Sequence, residues 1–347
     1  MIVDAHAHFV PRELIEALEA QSRLFPSLKL AHEGGLRFAF AGAAPTRPLS
    51  PKLSDVDARM TWLAEEGIDC QLVGGWLDMF GYELPPEEGA DWCRFMNEHL
   101  LASARRQPAL VPLATVPLQS GALAARVLEE ALGAGFRGVM IGTQPKGSGG
   151  TLDDPTLAPF WETASALKAA ILLHPMYACG DDRLGDYDLV NAVGRLTDTT
   201  TAAARLLFSG HLQRYPGMRL VVSHGGAALP YALGRLKRNH EIHPGQYADP
   251  VDGFRRLYFD TVLFEPRALS FLCDVAGWDK VLLGSDYPFP IGDGAPARIV
   301  EATPLGLAER RAILGENAAR VFALGAACGS AHSSRAGGGG SGMSAEK

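Results

Sequence analysis

Short apolar runs recur along this chain, separated by segments in which apolar residues return with helical spacing. The runs lie near residues 2–9, 70–75, 110–117, 138–143, 169–175, 219–225, 257–262 and 280–287. They are continuous rather than alternating, which marks strands buried on both faces. Residues 54–67, 87–106, 120–134, 155–168, 198–214, 228–237, 266–276 and 307–323 read as helices. Within the third of these, Ser120 to Leu132 carries an apolar stripe backed by polar residues, as an outer helix resting on a sheet should. Eight strands alternating with helices predict an α/β fold, a (β/α)8 TIM barrel rather than an open doubly wound sheet.

The barrel accounts for residues 1–324. Residues 10–53, after the first strand, are too long for an ordinary connection and carry Gly34, Gly35, Gly42, Pro45, Pro48 and Pro51. A lid-like insertion over the barrel mouth is expected there. From 325 to 347 the composition turns to glycine, serine and alanine, which predicts a flexible tail without function.

Polar residues close several of the apolar runs. The first holds Asp4-Ala5-His6-Ala7-His8, where a two-residue period places Asp4, His6 and His8 on one face and lets two imidazoles grip one divalent cation. Later runs end in His174-Pro175, in His224-Gly225-Gly226, and in Gly284-Ser285-Asp286-Tyr287-Pro288. The carboxyl ends of parallel strands form the active-site face of a barrel, so four such endings predict a mononuclear metal site. Unrelated, locally satisfied polar residues would have to repeat this placement four times.

The formal charge of −7 leaves no concentrated basic surface for nucleic acid. A local cluster, Arg235, Lys237 and Arg238, suits a small anionic ligand better. No apolar segment reaches the roughly 18 residues of a membrane span. Met1 leads directly into the first strand, so no signal peptide and a cytoplasmic location are expected. The five cysteines are odd in number and lack CxxC spacing, which predicts free thiols.

The ordered set His6-x-His8, His174-Pro175, His224-Gly225-Gly226 and Gly284-Ser285-Asp286-Tyr287-Pro288-Phe289-Pro290 resembles the amidohydrolase superfamily. Within it, the set is similar to the amidohydrolase-2 branch that includes 2-amino-3-carboxymuconate-6-semialdehyde decarboxylase. The resemblance implies that His6, His8, His174 and Asp286 hold one divalent cation, usually Zn2+ with Mn2+ an alternative. It further implies that His224 is the general base toward a water on that cation and that Asp286 also shuttles protons. A homodimer follows from the same resemblance, because a substrate arginine crosses the subunit boundary in the branch.

The branch holds a dicarboxylate with one arginine from the long first loop and a second beyond His-Gly-Gly. Two arginines suit that task because their planar forks bind carboxylates bidentately. Arg47 is the expected first residue, with Arg37 its rival. At the second position this chain has His243, which lacks a fork; Arg238 is a substitute, while Arg235 is expected near the metal site. Met176-Tyr177 stands where tryptophan follows the proline, read either as a reshaped pocket wall or as a neutral packing exchange. His32, His99, His211, His240 and His332 are expected at the surface or as caps. Asp260 is expected to orient His224 or a metal ligand, and Asp4 to do likewise or to bond backbone.

The expected function is a metal-dependent decarboxylase of a small unsaturated or aromatic carboxylic acid, anchored by Arg47. The alternative is a metal-dependent hydrolase of a small amide, lactone or related carbonyl compound, favoured by His243 and Met176. A non-catalytic metal-holding protein is disfavoured, since His224 serves proton transfer better than structural coordination.

Overall fold

The computed structural model describes residues 1–20, 24–147, 149–176, 181–325 and 328. The apolar runs form β1 (Val3–His8), β4 (Cys70–Gly74), β5 (Leu110–Pro112), β6 (Val139–Gly142), β7 (Ala170–His174), β8 (Arg219–Val222), β9 (Tyr258–Asp260) and β10 (Val281–Leu282). Two further strands, β2 (Leu28–Ala31) and β3 (Arg37–Phe40), pair outside the barrel. The parallel strands make two arcs, β1-β4-β5 and β6-β7-β8-β9-β10.

Single bridges join the arcs into a closed barrel. Ala114 pairs with Val139 at one seam and Ala7 with Tyr287 at the other. At the second seam the Ala5 amide donates to the Leu283 carbonyl at 2.8 Å and the Asp286 amide to the His6 carbonyl at 2.9 Å. The first and last barrel strands therefore meet where the metal-ligand candidates lie. Runs expected at 110–117 and 280–287 give shorter strands because the chain leaves regular pairing at these seams, Asp286 itself adopting a φ of 60°.

Helices Val56–Glu65, Pro86–Arg106, Gly121–Ala134, Ala158–Ala166, Arg195–Phe208, Leu229–Glu241 and Pro266–Ala276 surround the barrel, and Leu307–Arg311 and Asn317–Val321 flank a π turn at its end. Capping follows from sequence: the Asp55 carboxylate accepts from the Ala58 amide at 2.9 Å. Residues 10–53 hold a helix, Arg12–Ala20, and the β2–β3 hairpin. Phe38 and Phe40 are buried, and Phe25 and Phe40 pack on Trp92 with ring centroids 5.1 and 5.9 Å apart. The segment is thus anchored to Pro86–Arg106 by aromatic contact rather than lying as an irregular loop.

Cys70 and Cys328 form a disulfide, which corrects the expectation of free thiols. Spacing rules failed here because the partners are 258 residues apart in sequence. Cys93 and Cys273 are free, and Cys179 lies outside the described residues. So does the expected tail, apart from Gly325 and Cys328. No helix among the described residues is long and apolar enough to cross a membrane.

Candidate metal centre and substrate cavity

β1 is buried along its whole length, and its two-residue period directs His6 and His8 toward the same place. β7 ends in His174, and the chain past β10 brings in Asp286. Ligand atoms from His6, His8, His174 and Asp286 all lie within 4.8 Å of one another. The Asp286 Oδ1 atom is 3.0 Å from His8 Nε2, 3.4 Å from His6 Nε2 and 3.7 Å from His174 Nε2.

Hydrogen bonds fix which nitrogen of each ring faces inward. His6 Nδ1 donates to Asp260 Oδ2 at 2.6 Å, His8 Nδ1 to the Gly75 carbonyl at 3.1 Å, and His174 Nδ1 to the Pro175 carbonyl at 2.8 Å. Each Nε2 then faces the Asp286 carboxylate, that of His8 at hydrogen-bond distance, the inward-facing arrangement of metal-binding histidines generally. His6 Nε2 and His174 Nε2 are buried without a hydrogen-bond partner. Orphaned buried nitrogens beside a carboxylate are what a missing cation would leave, so the residues fit a divalent metal ion.

Burial holds the His8 and His174 imidazoles below their ordinary range, despite the nearby Asp286. Burial also acts on His6, but Asp260, Asp286 and Asp4 outweigh it and raise its pKa. Burial alone would raise Asp286, yet the surrounding imidazoles hold it well below the usual carboxylate range. Neutral imidazoles and an ionised carboxylate are the forms that bind metal.

His224 follows β8 and has its Nε2 atom 3.5 Å from Asp286 Oδ2. His224 and Asp286 both adopt left-handed backbone, with φ of 54° and 60°, which costs about 1–3 kcal/mol per residue. Gly225, with φ of 60°, leaves room that a Cβ would close by striking Leu263. Asp260 Oδ1 accepts from the Gly225 amide at 2.8 Å. Asp260 therefore orients His6, a candidate ligand, and also anchors the turn that carries His224. Asp4 accepts from Gln71 Nε2 at 2.8 Å, from the Ser285 amide at 3.0 Å and from the Ser285 hydroxyl, so it braces the seam through backbone and side chain.

Beneath the site lies a buried cation that the sequence reading missed. Arg59 donates to Gln71 Oε1 and, at 2.6 Å, to the His8 carbonyl, with its guanidinium over the Tyr287 ring at 4.6 Å. Burial brings its pKa down to about 10, so it stays charged at neutral pH.

Above the site opens a cavity of about 530 Å³ that His174, His224 and Asp286 share with Arg47, Arg195, Asp188 and apolar residues. Arg47 lies here, whereas Arg37 spends its donors on the Glu33 and Thr46 carbonyls. Arg47 Nε and Nη2 both bond Asp78 at 3.0 Å, leaving Nη1 without a hydrogen bond among the described residues. His243 does not line this cavity; its Nδ1 donates to the Asn239 carbonyl at 2.9 Å. Met176 is buried against Gly142 rather than forming the cavity wall, and Tyr177 lies outside the described residues.

The basic cluster does not reach the cavity either. Lys237 and Arg238 pair with Glu241 at 4.0 and 3.3 Å, and Arg235 is exposed and does not line the cavity. A helical run of basic residues points outward unless its neighbours turn it, which the sequence cannot disclose. His211, expected at the surface or as a cap, is buried against Trp161 at the start of the short helix His211–Arg214 and bonds Ser209 at 2.6 Å. His332 lies outside the described residues.

A closed barrel with three imidazoles and a carboxylate at its strand ends defines the class of single-metal barrel enzymes. The chain belongs to the amidohydrolase family Amidohydro_2, matched over residues 3–324. It is 29% identical over 286 residues to the 2-amino-3-carboxymuconate-6-semialdehyde decarboxylase of Dictyostelium discoideum, covering 80% of this chain and 79% of that protein. It is 29% identical over 308 residues to a gamma-resorcylate decarboxylase of Polaromonas sp., covering 82% and 93%. Among solved structures, 5-carboxyvanillate decarboxylase of Novosphingobium aromaticivorans, complexed with manganese and 4-hydroxy-3-methoxy-5-nitrobenzoic acid, superposes with a TM-score of 0.77. That match has 20% identity and covers 93% of this chain and 96% of that one.

Proposed function

We propose that this protein is a metal-dependent decarboxylase of a small unsaturated or aromatic carboxylic acid. The observation that carries the reading is the buried quartet His6, His8, His174 and Asp286, with His224 Nε2 3.5 Å from the Asp286 carboxylate. A divalent cation, when bound, supplies Lewis acidity and makes water easier to deprotonate. The quartet would hold that cation, and we assign zinc, with manganese as the alternative.

His224 and Asp286 supply the proton chemistry. His224 Nε2 faces both the carboxylate and the cavity, placed to take a proton from water and return one to the reacting carbon. Asp286 Oδ2, 3.5 Å away, receives or relays that proton. Decarboxylation requires a site that accepts the electron pair left on carbon and a positioned acid to protonate it, and these two residues meet the second need. Arg47 anchors a carboxylate through Nη1, and residues 10–53 serve the site through that arginine. A homodimer and a cytoplasmic location belong to the same proposal.

The test is turnover of 2-amino-3-carboxymuconate-6-semialdehyde and of gamma-resorcylate by metal-replete protein, with trapping of carbon dioxide and a chelator-treated control. Metal-dependent release of carbon dioxide is expected, falling roughly 10²–10⁴-fold in His224→Gln with metal content unchanged. Consumption of an amide or lactone without carbon dioxide would replace this reading with a hydrolase.

A further inference from the structure

The cavity carries a second guanidinium, and it makes no ion pair among the described residues. Arg195 opens the helix Arg195–Phe208 and lines the same cavity as His174, His224 and Asp286. Only its Nη1 atom hydrogen-bonds among the described residues, to the Pro175 and Met176 carbonyls, both at a long 3.4 Å. No carboxylate among those residues lies within ion-pair distance of it. Asp198, one turn along the helix, accepts instead from Thr143 Oγ1 and from Gln144 Nε2.

The contrast with Arg47 is instructive. Arg47 is bidentate to Asp78 and more than half exposed, so only its Nη1 remains for a ligand. Arg195 is half-buried, and burial together with the like charge of Arg47 lowers its pKa against the opposing pull of Asp78, Asp286 and Asp198. A half-buried cation with no carboxylate in contact is poorly compensated unless a ligand brings one. Planar guanidinium forks match carboxylates.

We propose that Arg195 is the specificity-determining residue that selects acids bearing a second carboxylate, remote from the reacting carbon. Apart from Asp188 and Asn191, the remaining wall fits such a molecule: Leu196, Val262, Leu263, Phe264 and Phe289 present apolar surface to a flat unsaturated body between its polar ends. The expectation that the second arginine comes from beyond His-Gly-Gly is then replaced by one supplied from the helix after β7. This inference rests on the decarboxylase reading.

The test uses a matched pair of probes on the manganese-loaded protein: 4-hydroxy-3-methoxy-5-nitrobenzoic acid and the same nitrophenol lacking only the carboxylate. Calorimetric affinities are compared for the wild type, Arg195→Gln and Arg195→Lys. Wild type is expected to prefer the acid, and Arg195→Gln to lose about 10–100-fold of acid affinity. Its affinity for the nitrophenol should stay within about twofold, with Arg195→Lys intermediate. The ratio of the two affinities within one variant is insensitive to a partly folded sample. Equal losses for both probes, or no loss for the acid, would overturn the role of Arg195 and leave the decarboxylase reading standing. Failure of the wild type to bind either probe would remove that reading and the inference with it.

Discussion

His6 Nδ1 lies 2.6 Å from Asp260 Oδ2, and both side chains are fully buried. One carboxylate thereby couples the first barrel strand to the seventh and, through its other oxygen, to the turn bearing His224. Close packing leaves this contact little freedom: a Cβ on Gly284 would stand 3.0 Å from the Asp260 Cβ and 3.2 Å from that of His6.

Replacing Asp260 with alanine should therefore weaken metal binding by roughly 10–100-fold, the usual effect of losing an outer partner of a metal-binding histidine. Competition against a chromogenic chelator measures this. Undiminished affinity would show that His6 needs no such support.

Arg47→Met should raise KM for a carboxylate substrate several-fold with a smaller effect on kcat, because a contact made equally in ground and transition states alters binding alone. Arg37→Met should leave both parameters near wild type, since its donors serve the hairpin. Steady-state kinetics of the two variants separates the rival arginines; a larger KM effect from Arg37 would reverse the assignment.

Arg59→Leu should destabilise the fold by about 3 kcal/mol, because it strands Gln71 Oε1 and the His8 carbonyl in a buried environment. Urea unfolding of the chelator-treated variant and wild type gives the difference without the contribution of metal. A change below about 0.5 kcal/mol would mean that water replaces the guanidinium.

His211 predicts an acid limb in the stability curve. Burial, assisted by Arg214, pushes its pKa down to about 4 from 6.5. Between those values the unfolded chain takes up a proton that the folded state resists, so this contribution is whole above pH 6.5 and shrinks as pH falls toward 4. His211→Phe should flatten that part of the curve in denaturant titrations. An identical slope in the variant would assign the acid sensitivity to other groups.

The eight barrel strands were legible because each is a short apolar run, and the candidate metal ligands because they occupy the ends of those runs. His6 and His8 needed only the two-residue period of a strand. Arg59, Arg195 and Asp198 were not legible in the same way. They come from helices or helix starts, where the side facing the site depends on how the helix is rotated against the barrel, and no local motif records that rotation. The β2–β3 hairpin escaped notice because its alternating segment is only four residues per strand. Its partner surface, Trp92, lies far along the chain.

The seam between Ala7 and Tyr287 has a bearing on how the protein is made. Two of the proposed ligands are available once the first eight residues exist, the third needs His174, and the fourth arrives only with Asp286. During synthesis the chain must emerge almost to the end of the barrel before the quartet can assemble. A cation captured earlier would be held by imidazoles alone, without the carboxylate. Fragments truncated before Asp286 should thus be poor in metal even where their early strands have formed, and metal loading becomes a marker of a finished chain.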